Sequence, residues 1–189
     1  MNSRNKNIKV VLADDYEITR AGWARMLSVD PSITIVGEAS NGIEAIEVVA
    51  REKPDIVILD MIMPVMNGVI AAEEIKNLHP ETKILMVVTY ENSEYFESAF
   101  WICVDGYIAK EICTCDMLES VHLVAEGKKV FYRNIYDFMK TMFNGAEFMP
   151  EASSHRNLLK MPDKWDIGKK NLLINITERL KKINAGVLN

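Results

Sequence analysis

Asp14-Asp15, Asp60, Thr89 and Lys110 each stand directly after a short apolar run: Ile8-Lys9-Val10-Val11-Leu12-Ala13, Ile56-Val57-Ile58-Leu59, Lys83-Ile84-Leu85-Met86-Val87-Val88 and Gly106-Tyr107-Ile108-Ala109. Such runs read as strands buried on both faces. In an open α/β sheet, ligands bind at the carboxyl ends of the strands, so these polar residues occupy the edge where chemistry is expected. Three carboxylates gathered without compensation repel, and one of them would stay protonated. A hard divalent cation removes that conflict, because magnesium takes oxygen ligands from one or two carboxylates and leaves positions for phosphate. The set therefore reads as a magnesium-dependent phosphoryl site. Asp60 is its nucleophile, forming an acyl phosphate. Thr89 offers a hydroxyl and Lys110 an ammonium to the phosphoryl oxygens. Singly, each residue has a blander reading: Asp14-Asp15 as a helix cap, Lys110 as a lysine snorkelling from a strand end. Their joint placement favours the chemistry.

The elements that must position these residues follow from periodicity and punctuation. A helix is predicted over 17–28, ended by Asp30-Pro31, and a strand over 33–37 before the Asn41-Gly42 turn. In the next helix Ala45, Ile46 and Val49 share a face, and Pro54 closes it. Asn67 is placed to cap a helix whose Val69, Ala72, Ile75 and Leu78 recur every third residue until His79-Pro80. A helix near 93–102 would bury Tyr95, Phe96, Ala99 and Phe100. Met117, Leu118, Val121, Val124 and Ala125 make a last amphipathic helix, finished at Gly127. Strand and helix alternate five times, which with short right-handed links gives an α/β fold with a doubly wound, five-stranded parallel sheet.

The totals restrict the class. With 49% hydrophobic and 26% charged residues the chain is ordinary for a globular protein, and no stretch approaches a membrane span. The polar start, Met1 to Asn7, lacks the apolar core of a signal peptide. An odd three cysteines fit a reducing compartment, so a cytoplasmic location is expected. Cys113, Cys115 and His122 lack the spacing of a zinc site. Residues 1–130 carry 12 Lys+Arg against 21 Asp+Glu, while residues 131–189 carry 10 against 6. An acidic front and a basic back predict two units with different partners.

Between Ile8 and Val130 the sequence resembles a bacterial response-regulator receiver domain of the NarL/FixJ (LuxR-type) subfamily. The resemblance is carried by Val11-Leu12-Ala13-Asp14-Asp15, Val36-Gly37-Glu38-Ala39-Ser40-Asn41-Gly42, Met63-Pro64-Val65-Met66-Asn67-Gly68 and Gly106-Tyr107-Ile108-Ala109-Lys110. It implies the flavodoxin-like strand order 2-1-3-4-5 and a two-component signalling switch that catalyses only its own aspartyl phosphorylation and dephosphorylation. It implies phosphorylation of Asp60 by a sensor histidine kinase, with magnesium held by Asp15 and Asp60, by Asp14 through water, and by the backbone carbonyl of Ile62. It also implies a switch in which Thr89 moves toward the phosphoryl group and Tyr107 turns inward. The chain departs from the subfamily at Ile62, often polar or basic there, and at Cys113-Thr114-Cys115-Asp116. An apolar Ile62 would restrict the water that hydrolyses the acyl phosphate, predicting a long-lived phosphorylated state.

The expected domains are a receiver over 1–130, a linker with a short helix over 131–154, and a helical C-terminal segment over 155–189. In the last, Leu173, Ile176, Leu180 and Ile183 form a narrow apolar seam on a cationic helix. Members of the subfamily continue into a helix-turn-helix module, but no stretch here matches a turn and recognition helix. Two readings of the output stay open. The tail contacts a protein or a dimer mate through the seam, or it is a diverged or truncated DNA-binding module.

Overall fold

The computed structural model describes residues 7–89, 104–133, 151–152 and 158–160. Eight strands are present among them: β1 (Ile8–Ala13), β2 (Ile33–Ala39), β3 (Ile56–Asp60), β4 (Lys83–Val88), β5 (Gly106–Ala109), β6 (Val130–Tyr132), β7 (Glu151–Ala152) and β8 (Leu158–Lys160). Four helices accompany them: α1 (Glu17–Leu27), α2 (Gly42–Glu52), α3 (Gly68–Leu78) and α4 (Thr114–Ala125). The helix expected near 93–102 and the seam of Leu173, Ile176, Leu180 and Ile183 lie outside the described residues.

All strands join one sheet in the order β2-β1-β3-β4-β5-β6-β8-β7. The expected 2-1-3-4-5 arrangement is therefore intact and parallel throughout. It does not stop at five strands. After α4 the chain returns as β6, parallel to β5, and then β8 and β7 add antiparallel. Strand β6 runs across the boundary expected at residue 130, and Leu158–Lys160 is strand within the segment expected to be helical.

Both faces of the sheet are covered, which is why its strands read as unbroken apolar runs rather than alternating ones. On one face Val11, Leu59 and Met86 pack with Ala45 and Val49 of α2 and Ala71, Ala72 and Ile75 of α3. On the other, Leu12, Ile58 and Val87 pack with Trp23 and Leu27 of α1 and Met117, Val121 and Val124 of α4. Each fully buried Ile, Leu or Val of these strands is worth roughly 1.5–3 kcal/mol against exposure, so the sheet centre dominates the stability.

Helix α3 starts at its predicted cap, and Asn41, expected only in a turn, caps α2. Asn67 Oδ1 accepts from the Ile70 N–H at 2.9 Å, and Asn41 Oδ1 from the Glu44 N–H at 3.1 Å. The buried face of α3 differs from the expected one: Ala71 is fully buried and Leu78 is 60% exposed. The buried face is made by Gly68, Ala71, Ala72 and Ile75.

Helix α4 begins on Cys113, whose Sγ accepts from the Asp116 N–H at 3.5 Å. Its His122 Nε2 lies 2.7 Å from Asp30 Oδ2, which ties α4 to the turn after α1. Hydrogen bonds from Ser32, then that histidine, hold the Asp30 carboxyl down at about 2. These contacts give Cys113 and His122 separate structural roles.

Candidate functional site

Strand register builds the site. Ala13 pairs with Leu59, so the next residues along, Asp14 and Asp60, come side by side at the carboxyl edge of β1 and β3. Asp60 itself is the last residue of β3 and pairs with Val87 of β4. Val88 pairs with Ala109, so Thr89 and Lys110 leave β4 and β5 on the same edge. The Lys110 N–H still donates to the Val88 carbonyl at 3.0 Å, which fixes its backbone before the side chain reaches across.

Lys110 Nζ lies 2.7 Å from Asp14 Oδ2 and 2.8 Å from Asp60 Oδ2. One ammonium thus bridges two buried carboxylates, and it also sits 5.4 Å from the centroid of the Tyr16 ring, within cation–π range. The snorkelling reading of Lys110 is excluded by this inward geometry. Asp14 does not cap α1 either. The residue preceding the helix is Tyr16, whose N–H donates to Asp14 Oδ1 at 2.8 Å, and this turns the Asp14 carboxylate toward the lysine.

Among the described residues, Asp14, Asp15 and Asp60 bring carboxylate oxygens within 4.8 Å of one another. Burial pushes the Asp60 carboxyl up to about 6, the neighbouring Asp14 and Asp15 charges push the same way, and Lys110 only partly opposes them. For Lys110, burial pulls downward, but its hydrogen bonds to Asp14 and Asp60 prevail and its ammonium is held above the ordinary lysine value. Asp15 Oδ1 is buried with no hydrogen-bond partner. A surplus of acid over base, a carboxylate resisting ionisation and an orphaned oxygen beside it form the donor set that a hard divalent cation satisfies. The residues present fit such an ion.

The loop after Asp60 is tightly wound. Gly68 N–H returns to the Met61 carbonyl at 2.9 Å, and Gly42 N–H takes the Met66 carbonyl at 2.9 Å. Met66 N–H donates to the Pro64 carbonyl at 2.7 Å, closing a γ-turn centred on Val65 at φ 67°. That conformation is rare and strained for a β-branched residue. Met61 and Met63 are buried in the core beside the loop, where they act as packing residues.

Of the other sequence-selected residues, Thr89 is half-buried at the pocket edge and the Ile62 side chain is 37% exposed. Tyr107 is buried on β5, three residues before Lys110, its ring centroid 5.3 Å from that of Phe131. The sequence reading missed Arg20, whose Nη1 donates to the Asp14 carbonyl at 2.7 Å and whose Nε donates to Glu38 Oε2 at 2.9 Å. It braces the β1–α1 turn from the first turn of the helix. A lone arginine on an amphipathic helix carries no signal of that role in the sequence.

Residues 10–122, more than half of the chain, match the family model for the response regulator receiver domain. The response regulator protein VraR of Staphylococcus aureus is 36% identical over 151 residues, covering 80% of this chain and 72% of that protein. The transcriptional regulatory protein DegU of Brevibacillus brevis is 31% identical over 124 residues, covering 65% of this chain and 52% of that protein. The chain thus spans about half the length of that relative. The signal receiver domain of the putative response regulator NarL from Mycobacterium tuberculosis superposes with a TM-score of 0.61 at 28% identity, covering 65% of this chain and 98% of that one. The parallel core, the acid cluster bridged by Lys110 and these matches together assign the chain to the response-regulator receiver family, in its NarL/FixJ-type branch.

Proposed function

We propose that the chain is a phosphorylation-controlled response regulator whose acceptor is Asp60. The observation that carries this is the bridge from Lys110 to Asp14 and Asp60, beside the orphaned Asp15 Oδ1. An Asp60 Oδ atom attacks the phosphorus of a phosphohistidine on a sensor kinase. The Oδ–P bond forms and the P–N bond breaks, its electron pair returning to the histidine nitrogen. Lys110 leaves its place against Asp60 to bind a phosphoryl oxygen, and the Thr89 hydroxyl donates to another. Asp15, Asp60, the Ile62 carbonyl and, through water, Asp14 would hold magnesium, which supplies neutralising charge for the incoming anion. Ile62 beside this group slows hydrolysis by restricting water. On this reading the protein is a cytoplasmic switch that catalyses only its own phosphorylation and dephosphorylation. Among the described residues no helix is long and apolar enough to cross a membrane.

A small phosphodonor tests the assignment. Intact-mass measurement should show one added phosphoryl group in magnesium buffer, almost none with chelator, and none in Asp60→Asn. A phosphorylated Asp60→Asn protein would overturn it.

A second reading, a transcription regulator acting through DNA, is favoured by the names of the relatives, one of them a transcriptional regulatory protein. The basic excess after residue 130 supports it. Under this reading the affinity of the phosphorylated chain for duplex DNA falls linearly with salt on logarithmic axes. No binding at low salt would leave the tail, over 131–154 and 155–189, to contact a protein or a second copy of the chain.

A further inference from the structure

One row of register-paired residues crosses the sheet directly beneath the acid pocket: Ala13, Leu59, Met86, Tyr107, Phe131 and Leu159. Its first two members are the residues immediately before Asp14 and Asp60. Its last two belong to β6 and β8, beyond the five strands the sequence predicts. All six lie in the same layer of the core, and Tyr107, Phe131 and Leu159 are 1%, 1% and 3% exposed.

We propose that β6 and β8 form a clamp that reads the state of Asp60, docked while Tyr107 lies against Phe131 and released when phosphorylation draws Tyr107 toward the pocket. The inference rests on the phosphorylation reading above. The Tyr107 and Phe131 rings meet at 5.3 Å and 35°, and Leu159 stands opposite Phe131 in the ladder. A close-packed core does not deform continuously, so moving Tyr107 removes the surface on which Phe131 rests. The strands that depend on that surface are short: three residues in β6, three in β8 and two in β7. A ribbon of three such short strands has few ladder bonds and is held by what it packs on. It therefore belongs to the least stable part of the sheet, where switching elements are found. Docked, it covers the edge of β5; released, it bares a row of unpaired backbone groups that can bind another strand.

Linkage makes the coupling measurable in both directions, since whatever loosens the clamp must tighten phosphoryl binding by the same factor. On the full chain, amide exchange is followed before and after a small phosphodonor, with intact mass reporting Asp60 occupancy. Protection at 130–132 and 158–160 should fall about tenfold or more on phosphorylation, while β1 and β3 stay protected, and Asp60→Asn should show no change. Leu159→Asn should bind beryllium trifluoride with magnesium about fivefold or more tighter than wild type, with β1 and β3 protection confirming its fold. Phe131→Leu, which keeps the burial and loses the ring contact, should shift affinity the same way. A phosphorylated chain with unchanged protection and affinities within twofold would refute the clamp and leave the phosphorylation reading standing. Absence of any adduct on Asp60 would refute both.

Discussion

Replacing Asp60 by Asn should abolish phosphoryl uptake and yet make the metal-free fold more stable at pH 7.5, by on the order of 2 kcal/mol. The cause is the position of the carboxyl, 5% exposed between Asp14, Asp15 and Lys110. Burial and the two neighbouring acids raise it from 3.8 to about 6 despite the lysine. A group raised on folding favours the folded state when protonated and opposes it when ionised. The penalty in wild type is therefore absent below pH 3.8, grows as pH rises toward 6, and is complete above it. Asn carries no charge and escapes it. Urea unfolding of both proteins in chelator across pH 4–8 checks this: the advantage of Asn should shrink steadily toward the acid end. A wild type that is the more stable protein at pH 7.5 would contradict the electrostatic account, whatever happens to phosphorylation.

Gly68→Ala should have the opposite effect, a loss of about 3 kcal/mol or more together with loss of phosphorylation. A Cβ at this position would lie 1.9 Å from the Asp60 carbonyl oxygen and 2.9 Å from its carbonyl carbon. Those atoms belong to the backbone of a fully buried strand and cannot turn aside as a side chain can. Gly68 also opens α3 and donates to the Met61 carbonyl at 2.9 Å. The added methyl must push the helix off the strand that presents Asp60. Gly22→Ala is the control. It lies within α1 with nothing inside 4 Å of an added Cβ, so the change should stabilise by up to about 1 kcal/mol through helix propensity. Denaturant midpoints of the two variants should move in opposite directions; equal shifts would remove close approach as the reason for glycine at 68.

Much of this architecture was legible in the residues. Strands β1, β4 and β5 fall on the predicted runs, because four to six apolar residues closed by a polar one have few other ways to be buried. Asn67 caps its helix as expected because a side-chain oxygen satisfying an orphan N–H is a local interaction. The same locality explains why the acid set could be named before the fold: each member ends an element readable by itself.

What the residues did not reveal depends on contacts between distant segments. Val130–Tyr132 and Leu158–Lys160 are too short to show any period, and they pair with each other across 25 intervening residues. Leu78 had the right spacing for the core and lies in solvent, while Ala71 is buried instead, because the angle at which α3 meets the sheet is not encoded in a helical pattern. Arg20 became visible only once α1 was laid against β1 and its guanidinium reached the Asp14 carbonyl. The sequence by itself determined which groups could meet at the carboxyl edge of the sheet. Tertiary structure alone decided how deeply Asp60 is buried, which oxygen of Asp15 is left without a partner, and that the sheet continues from Tyr107 into the chain beyond the last helix. The reason is physical: periodicity and capping act over a few residues, whereas burial, charge balance and strand pairing exist only after the chain has closed on itself.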